Sequence, residues 1–285
     1  MKKNILLMII LALTFVANVA CSNSEATNIA AEEKSEEAVD TVTASSEQVD
    51  GVTTASVVAD RYRNNYEPNG FTDSDQKKAL FVVGDPRKYS VQYDMTYTAM
   101  KHFEEKGIEV ELRDLYDMDW NPVLSAEEFY YQKDGKGTVP EDVKVEQDLV
   151  TQADYIIFSY PNWHDTPNVM VKGYMERVFA SQFAYTNEGP EGLLVGKGMY
   201  TISNCGFLGG GRGFVGDGVG INDDLWDEYM EAFRVFDEDT AGWWGMENLG
   251  RFMNDRTPAN DDENYETEMM ELRNTLINHL DTTFF

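Results

Sequence analysis

The chain has 285 residues, with 23 Lys and Arg against 51 Asp and Glu, a formal net charge of −28 at pH 7. That acidity repels phosphate, so nucleic acid is excluded as a partner and basic residues cannot supply any membrane attachment. Its two cysteines, Cys21 and Cys205, provide no disulfide framework, and the fold must stand on its apolar core.

In chain order, MKKNILLMIILALTFVANVAC opens with a basic pair and an apolar core shorter than the ~20 residues of a spanning helix. Residues 1–20 are therefore expected to be a signal peptide. VAC followed by SNS resembles the lipobox of bacterial lipoproteins, in which the cysteine is freed and lipidated. This makes Cys21 the expected lipidation site and implies export with a lipid anchor on a bacterial membrane of the cell envelope. Asn18 departs from the aliphatic residue usual in that motif, which leaves cleavage by an ordinary signal peptidase as the alternative. Residues 21–76 are rich in Ser, Thr, Ala and acids without sustained apolar period, a composition expected of a flexible acidic tether whose tail VVADRYRNNYEPNGF packs on the adjoining domain. Residues 77–285 have a size suited to one domain.

Within that domain, strand-like and helix-like patterns alternate. Strands are expected at 77–84, 109–116, 155–161, 197–206 and 246–252, and helices at 91–107, 141–153, 166–183, 225–236 and 264–280. Five short apolar strands alternating with helices predict an α/β fold, a doubly wound five-stranded parallel sheet with helices on both faces. Ligands of such sheets bind beyond the carboxyl ends of the strands, near the point where strand order reverses. That rule selects GDPRKYSVQYD after the first strand, YPNWHDTP after the third and SNCGFLGGGRGFVGDG after the fourth.

Each segment admits two readings. Ser90, Val91 and Gln92 open a helix, so their N–H groups and a hydroxyl form either a phosphate seat or a plain cap. In the second loop Pro161 stops the strand, and Thr166 with Pro167 has the form of an N-cap and a first helical residue. Asn162, Trp163, His164 and Asp165 between them suit the wall and polar rim of a planar aromatic cofactor, or a surface loop with a half-buried Trp. A metal held by His164, Asp165 and Asp85 lacks ligand spacing. GGGRG reads as a loop, and Cys205 has no nameable base that would make it a nucleophile. His102 and His279 are expected to be plain surface residues.

The blocks RKYSVQYDM, DLYDMDWNPVL, ADYIIFSYPNWHDTPNVMVKGYMERVFASQFAY and GKGMYTIS resemble the flavodoxin-like NAD(P)H:quinone oxidoreductase family, with its modulator-of-drug-activity and azoreductase relatives, over roughly residues 77–280. The resemblance implies the strand order 2-1-3-4-5. It also implies FMN or FAD as cofactor, NAD(P)H as electron donor, a quinone-like small acceptor and a homodimer. It would place the flavin phosphate on Ser90, Val91 and Gln92, and the ring against Pro161, Asn162, Trp163 and His164, with Lys172 and Gly173 fixing that loop. Ser203, Asn204, Cys205 and Gly206 would form the turn whose backbone meets the ring. Cys205 stands where relatives carry glycine, His164 and Asp165 where they carry apolar or aromatic residues, and the Tyr and His that assist hydride transfer in some relatives have no counterpart. Export also separates the chain from nicotinamide, so a membrane quinol or a neighbouring redox protein is the other expected donor. The competing expectation is a flavodoxin-like binding or structural lipoprotein that has lost flavin and catalysis.

Overall fold

The computed structural model describes residues 70–285 apart from 135, 165, 187, 190–191, 206–222 and 255–262. The expected signal peptide, Cys21, the tether up to residue 69, Asp165, Gly206 and the GGGRG run lie outside the described residues. Five strands, β1 (Lys78–Val83), β2 (Glu109–Asp114), β3 (Tyr155–Pro161), β4 (Gly198–Asn204) and β5 (Glu247–Asn254), pair in parallel in the order β2-β1-β3-β4-β5. The expected doubly wound sheet and its order are both observed. The chain leaves β1 toward β2 on one side and reaches β3 on the other, so strand order reverses between β1 and β3.

The strand residues alternate between two cores. Leu80, Val82, Ile156, Phe158 and Tyr160 face α3 (Glu141–Gln152), α4 (Val169–Val178) and α5 (Asp223–Trp244). Ala79, Phe81, Val83, Ile157, Tyr200 and Ile202 face α1 (Val91–Glu105) and α6 (Tyr265–Phe284). Both faces being covered is why the central strands read as unbroken apolar runs. Each large side chain buried there contributes roughly 1.5–3 kcal/mol.

The structure adds one helix that the sequence reading lacked, α2 (Ala126–Asp134). Its start is a reciprocal cap: Glu128 N donates to Ser125 Oγ at 3.1 Å and Ser125 N to Glu128 Oε2 at 2.9 Å. The helix α5 runs eight residues beyond the expected end at 236, to Trp244. Trp244 is core, stacked on Phe179 at 4.0 Å, whereas Trp243 is exposed beside Tyr185. One histidine corrects the surface expectation: His102 is buried, 2.9 Å from Asp281. His279 is exposed as expected, yet its ring bonds the Tyr200 hydroxyl at 2.7 Å, and partial desolvation holds its pKa below the usual imidazole value.

Residues 70–76 are anchored along β2. The side chain of Glu109 accepts from Thr72 N, Thr72 Oγ1 and Ser74 Oγ, and that of Glu111 accepts from Gly70 N. Against the opposing cost of burial, the Thr72 and Ser74 donors hold the Glu109 carboxyl below its usual range.

Candidate functional site

The β1–α1 loop is closed on itself. Ser90 is the N-cap of α1, its Oγ accepting from Tyr93 N at 3.4 Å, so the capping alternative for this residue is observed. The same hydroxyl donates to Asp85 Oδ2 at 2.7 Å. Asp85 is fully buried, and its Oδ1 also accepts from Arg87 N at 2.9 Å and Nε at 3.2 Å, while Oδ2 accepts from Arg87 Nη2 at 3.1 Å. Lys88 ties the other end of the loop to the end of β2, with Nζ 2.6 Å from Asp114 and 2.7 Å from Asp117. Tyr93 completes this corner, its hydroxyl 2.8 Å from Asp114 and 3.1 Å from the Asp85 carbonyl. Burial, and then the Asp114 charge, push its pKa far up, so the phenol stays protonated.

Val91 and Gln92 stand at the first turn, where N–H groups have no intrahelical acceptor. Their side chains turn inward. Val91 enters the core, and Gln92 Nε2 donates to Ser159 Oγ on β3 at 2.7 Å and to the Ile202 carbonyl on β4 at 3.0 Å. Gln92 Oε1 is buried with no hydrogen-bond partner among the described residues.

The β3–α4 loop is built differently. Pro161, in register with Asn204, is the last residue of β3, as expected. Asn162 N then donates to the Asn204 carbonyl at 2.8 Å. Trp163 and Thr166 form an isolated antiparallel bridge, and the chain turns between them through His164 at φ 56°, a left-handed conformation uncommon outside glycine. This bridge overturns the expected helix start at Thr166 and Pro167. The N-cap of α4 is Asn168, whose Oδ1 accepts from Val171 N at 3.2 Å. Its Nδ2 donates to the Gly84 carbonyl, which fastens the start of α4 to the end of β1. A Cβ at Gly84 would lie 2.6 Å from Val171 Cγ2 and 3.0 Å from Asn168 Oδ1, so the join requires glycine. Trp163 is 40% exposed, and the Arg87 guanidinium lies 5.8 Å from its ring centroid.

At the end of β4, Ser203 is fully buried and accepts from Arg251 Nη1 at 2.7 Å. Arg251 pairs through Nε and Nη2 with Asp237 at 2.8 and 2.9 Å and donates to the Tyr160 hydroxyl at 2.8 Å, so Ser203 belongs to a buried network beneath α5. Burial raises the Tyr160 pKa. Asn204 Oδ1 accepts from Asn254 Nδ2 at 2.7 Å, and Cys205 N donates to the Asn254 carbonyl at 3.0 Å. The strand end thus joins the end of β5. Lys172 is a surface residue paired with Glu176 at 2.7 Å, and Gly173 is a packing position, since a Cβ there would meet Pro122 O at 2.2 Å. Among the described residues no cluster of three or more His, Cys, Asp or Glu is placed to hold a metal ion.

The structure therefore brings Ser90, Val91, Gln92, Pro161, Asn162, Trp163, His164, Ser203, Asn204 and Cys205 to one edge of the sheet, the carboxyl edge. The sequence reading missed Asp85 as the partner of Ser90, Arg87 as the link between two loops, and Asn168 as a cap. GDPR carried a local signal for the first two, an acid placed to bond its own backbone two residues on.

The chain is 42% identical over 105 residues to an uncharacterized NAD(P)H oxidoreductase of Haemophilus influenzae, a match covering 36% of this chain and 51% of that protein. It is 29% identical over 147 residues to an FMN-dependent NADH:quinone oxidoreductase of Exiguobacterium sp., covering 45% of this chain and 68% of that one. In its first curated matches the chain spans about half of the relative's length. Among solved structures, an NAD(P)H:quinone oxidoreductase from Methanothermobacter marburgensis aligns with a TM-score of 0.57 at 22% identity, covering 71% of this chain and 98% of that one, a likeness of fold. The sequence profile of the flavodoxin-like fold family (Flavodoxin_2) matches residues 77–276. With the strand order and the loops at the carboxyl edge in agreement, the chain belongs to the flavodoxin-like fold family.

Proposed function

We propose that the chain is a flavin-dependent oxidoreductase of the NAD(P)H:quinone type, with the flavin held at the carboxyl edge of the sheet and quinones or similar small molecules as acceptors. The observation that carries this reading is the joining of the first turn of α1 and the Trp163 loop at one strand-order reversal, with Arg87 spanning the two. The edge fits a flavin in two respects. Trp163 offers a half-open aromatic face, and Gln92 Oε1 is a buried acceptor that a hydroxyl of a ribityl chain crossing the first turn would satisfy. When bound, the flavin supplies the hydride and electron chemistry. The chain's own residues would hold the ring against Trp163 and keep the loop backbone fixed through Asn162, Asn204 and Asn254. Tyr93, with its raised pKa, would stay neutral beneath the cradle.

The reading extends to location. Cys21 carries the lipid anchor, the domain works in the cell envelope as a homodimer, and a membrane quinol or a redox protein serves as donor where nicotinamide is absent. The relatives that bear nicotinamide and FMN in their names support the chemistry, and the leader and VAC-SNS sequence support the address.

An absorbance spectrum of the purified chain, before and after addition of FMN and of riboflavin, tests the core of this reading. A yellow protein reduced by NADH, NADPH or a quinol is expected. A colourless protein that takes up no added flavin would leave the second reading, a binding lipoprotein on the same fold. One feature favours that second reading: the Asp85 carboxylate stands where a phosphate would be held.

A further inference from the structure

We propose that Asp85 determines which flavin the site accepts, favouring an uncharged, hydroxyl-terminated ligand end, as in riboflavin, over a phosphate monoester. The inference rests on the flavin reading above. A phosphate at the start of α1 would call on the Ser90 hydroxyl, the loop N–H groups and the nearby cations. In this chain a fully buried carboxylate already uses the hydroxyl, one loop N–H and the nearest guanidinium, taking bonds from Ser90 Oγ at 2.7 Å and from Arg87 N, Nε and Nη2 at 2.9, 3.2 and 3.1 Å.

The neighbouring charges do not rescue the seat. Arg87 is matched by Asp85, and Lys88 is held between Asp114 and Asp117 at 2.6 and 2.7 Å. Asp94, in the first turn of α1, is buried and paired with Arg273 through two contacts of 2.7 Å. A phosphate with a charge of about −1.5 to −2 at pH 7 would thus meet a buried like charge, with Ser90, Arg87 and Lys88 already engaged and only the first-turn N–H groups left to it. The alternative to that repulsion is expulsion of Asp85 from four hydrogen bonds.

A hydroxyl end escapes both costs. It carries no charge to be repelled by Asp85, it can donate to the partnerless Gln92 Oε1, and it can accept from the first-turn N–H groups. Asp85 is thereby a negative selector built into the loop, and Arg87, stacked toward Trp163, stays on the ring side of the site.

Fluorescence titration of riboflavin and of FMN into the full chain and into Asp85→Asn, with thermal melts to show that both fold, tests the proposal. The wild-type chain should bind riboflavin at least as tightly as FMN. Asp85→Asn, which removes charge and keeps shape, should move the affinity ratio toward FMN by at least about tenfold, as expected when a buried like charge is removed. Wild-type binding of FMN about tenfold tighter than riboflavin, or an unchanged ratio in Asp85→Asn, would overturn it. The wild-type comparison decides the matter even if the variant unfolds. If neither flavin binds either protein, the flavin reading itself falls and the selector with it, a result distinct from binding without discrimination.

Discussion

The β1–α1 and β3–α4 loops meet at one edge of one sheet, but they spend their polar groups in opposite ways. In the first, Asp85, Arg87, Lys88 and Ser90 are bonded to one another or to the end of β2, leaving a closed ring of charge. In the second, the bonds lie in the backbone and in the Asn168 cap, and Trp163 is left half exposed above them. The contrast separates two jobs that a single binding edge has to perform. One loop is satisfied without a ligand and so can discriminate, because a ligand must improve on what is already there. The other has aromatic surface to bury and so can attract.

Perturbing the two loops separately tests this division. The largest effect should come from Gly84→Val at the seam between them, where the added side chain runs into Val171 and Asn168. Overpacking against a helix start should cost about 3 kcal/mol or fold poorly. Chemical denaturation reads this directly, and an unchanged midpoint would mean that the seam is loose. Asn168→Ala, which removes the cap of α4 and its bond to the Gly84 carbonyl, should cost about 1–2 kcal/mol. If it cost nothing, the two loops would not be mechanically joined. The smallest effect on stability belongs to the open loop: Trp163→Ala should change unfolding free energy by less than about 1 kcal/mol, because much of the ring is already in solvent. The same variant should bind flavin more weakly in an equilibrium titration, and a large loss of stability without any loss of binding would reverse the roles assigned to the loops.

Most of the architecture was legible because it depends on short-range periodicity. KALFVV and YIIFSYP announce strands buried on both faces, and Ser90 ahead of VQYDM announces a helix start. What escaped has specific causes. The helix α2 has a weak apolar stripe and was hidden among turn-like residues, although Ser125-Ala-Glu-Glu128 is a capping signature. Thr166-Pro167 has the composition of a helix start, but the Trp163–Thr166 bridge pulls it into a turn and moves the start to Asn168. The burial of His102 depends on α1 and α6 packing across one face, a contact between residues far apart in sequence. Asp85 escaped for a related reason: GDPR allows a local turn, but only the fold shows that Ser90 comes back to the same carboxylate.

The contact between Gly173 and Pro122 has a consequence for how this chain can change over generations. The segment DMDWNP and the segment KGYMER are about fifty residues apart, yet a methyl group at position 173 would intrude on the backbone of position 122. Arg177, one turn further along α4, extends the same dependence by donating to the Asn121 carbonyl at 2.8 Å and lying 4.6 Å from the Trp120 ring centroid. The two segments must therefore drift together or stay fixed together, and substitutions accepted in descendants should appear as matched pairs across this contact.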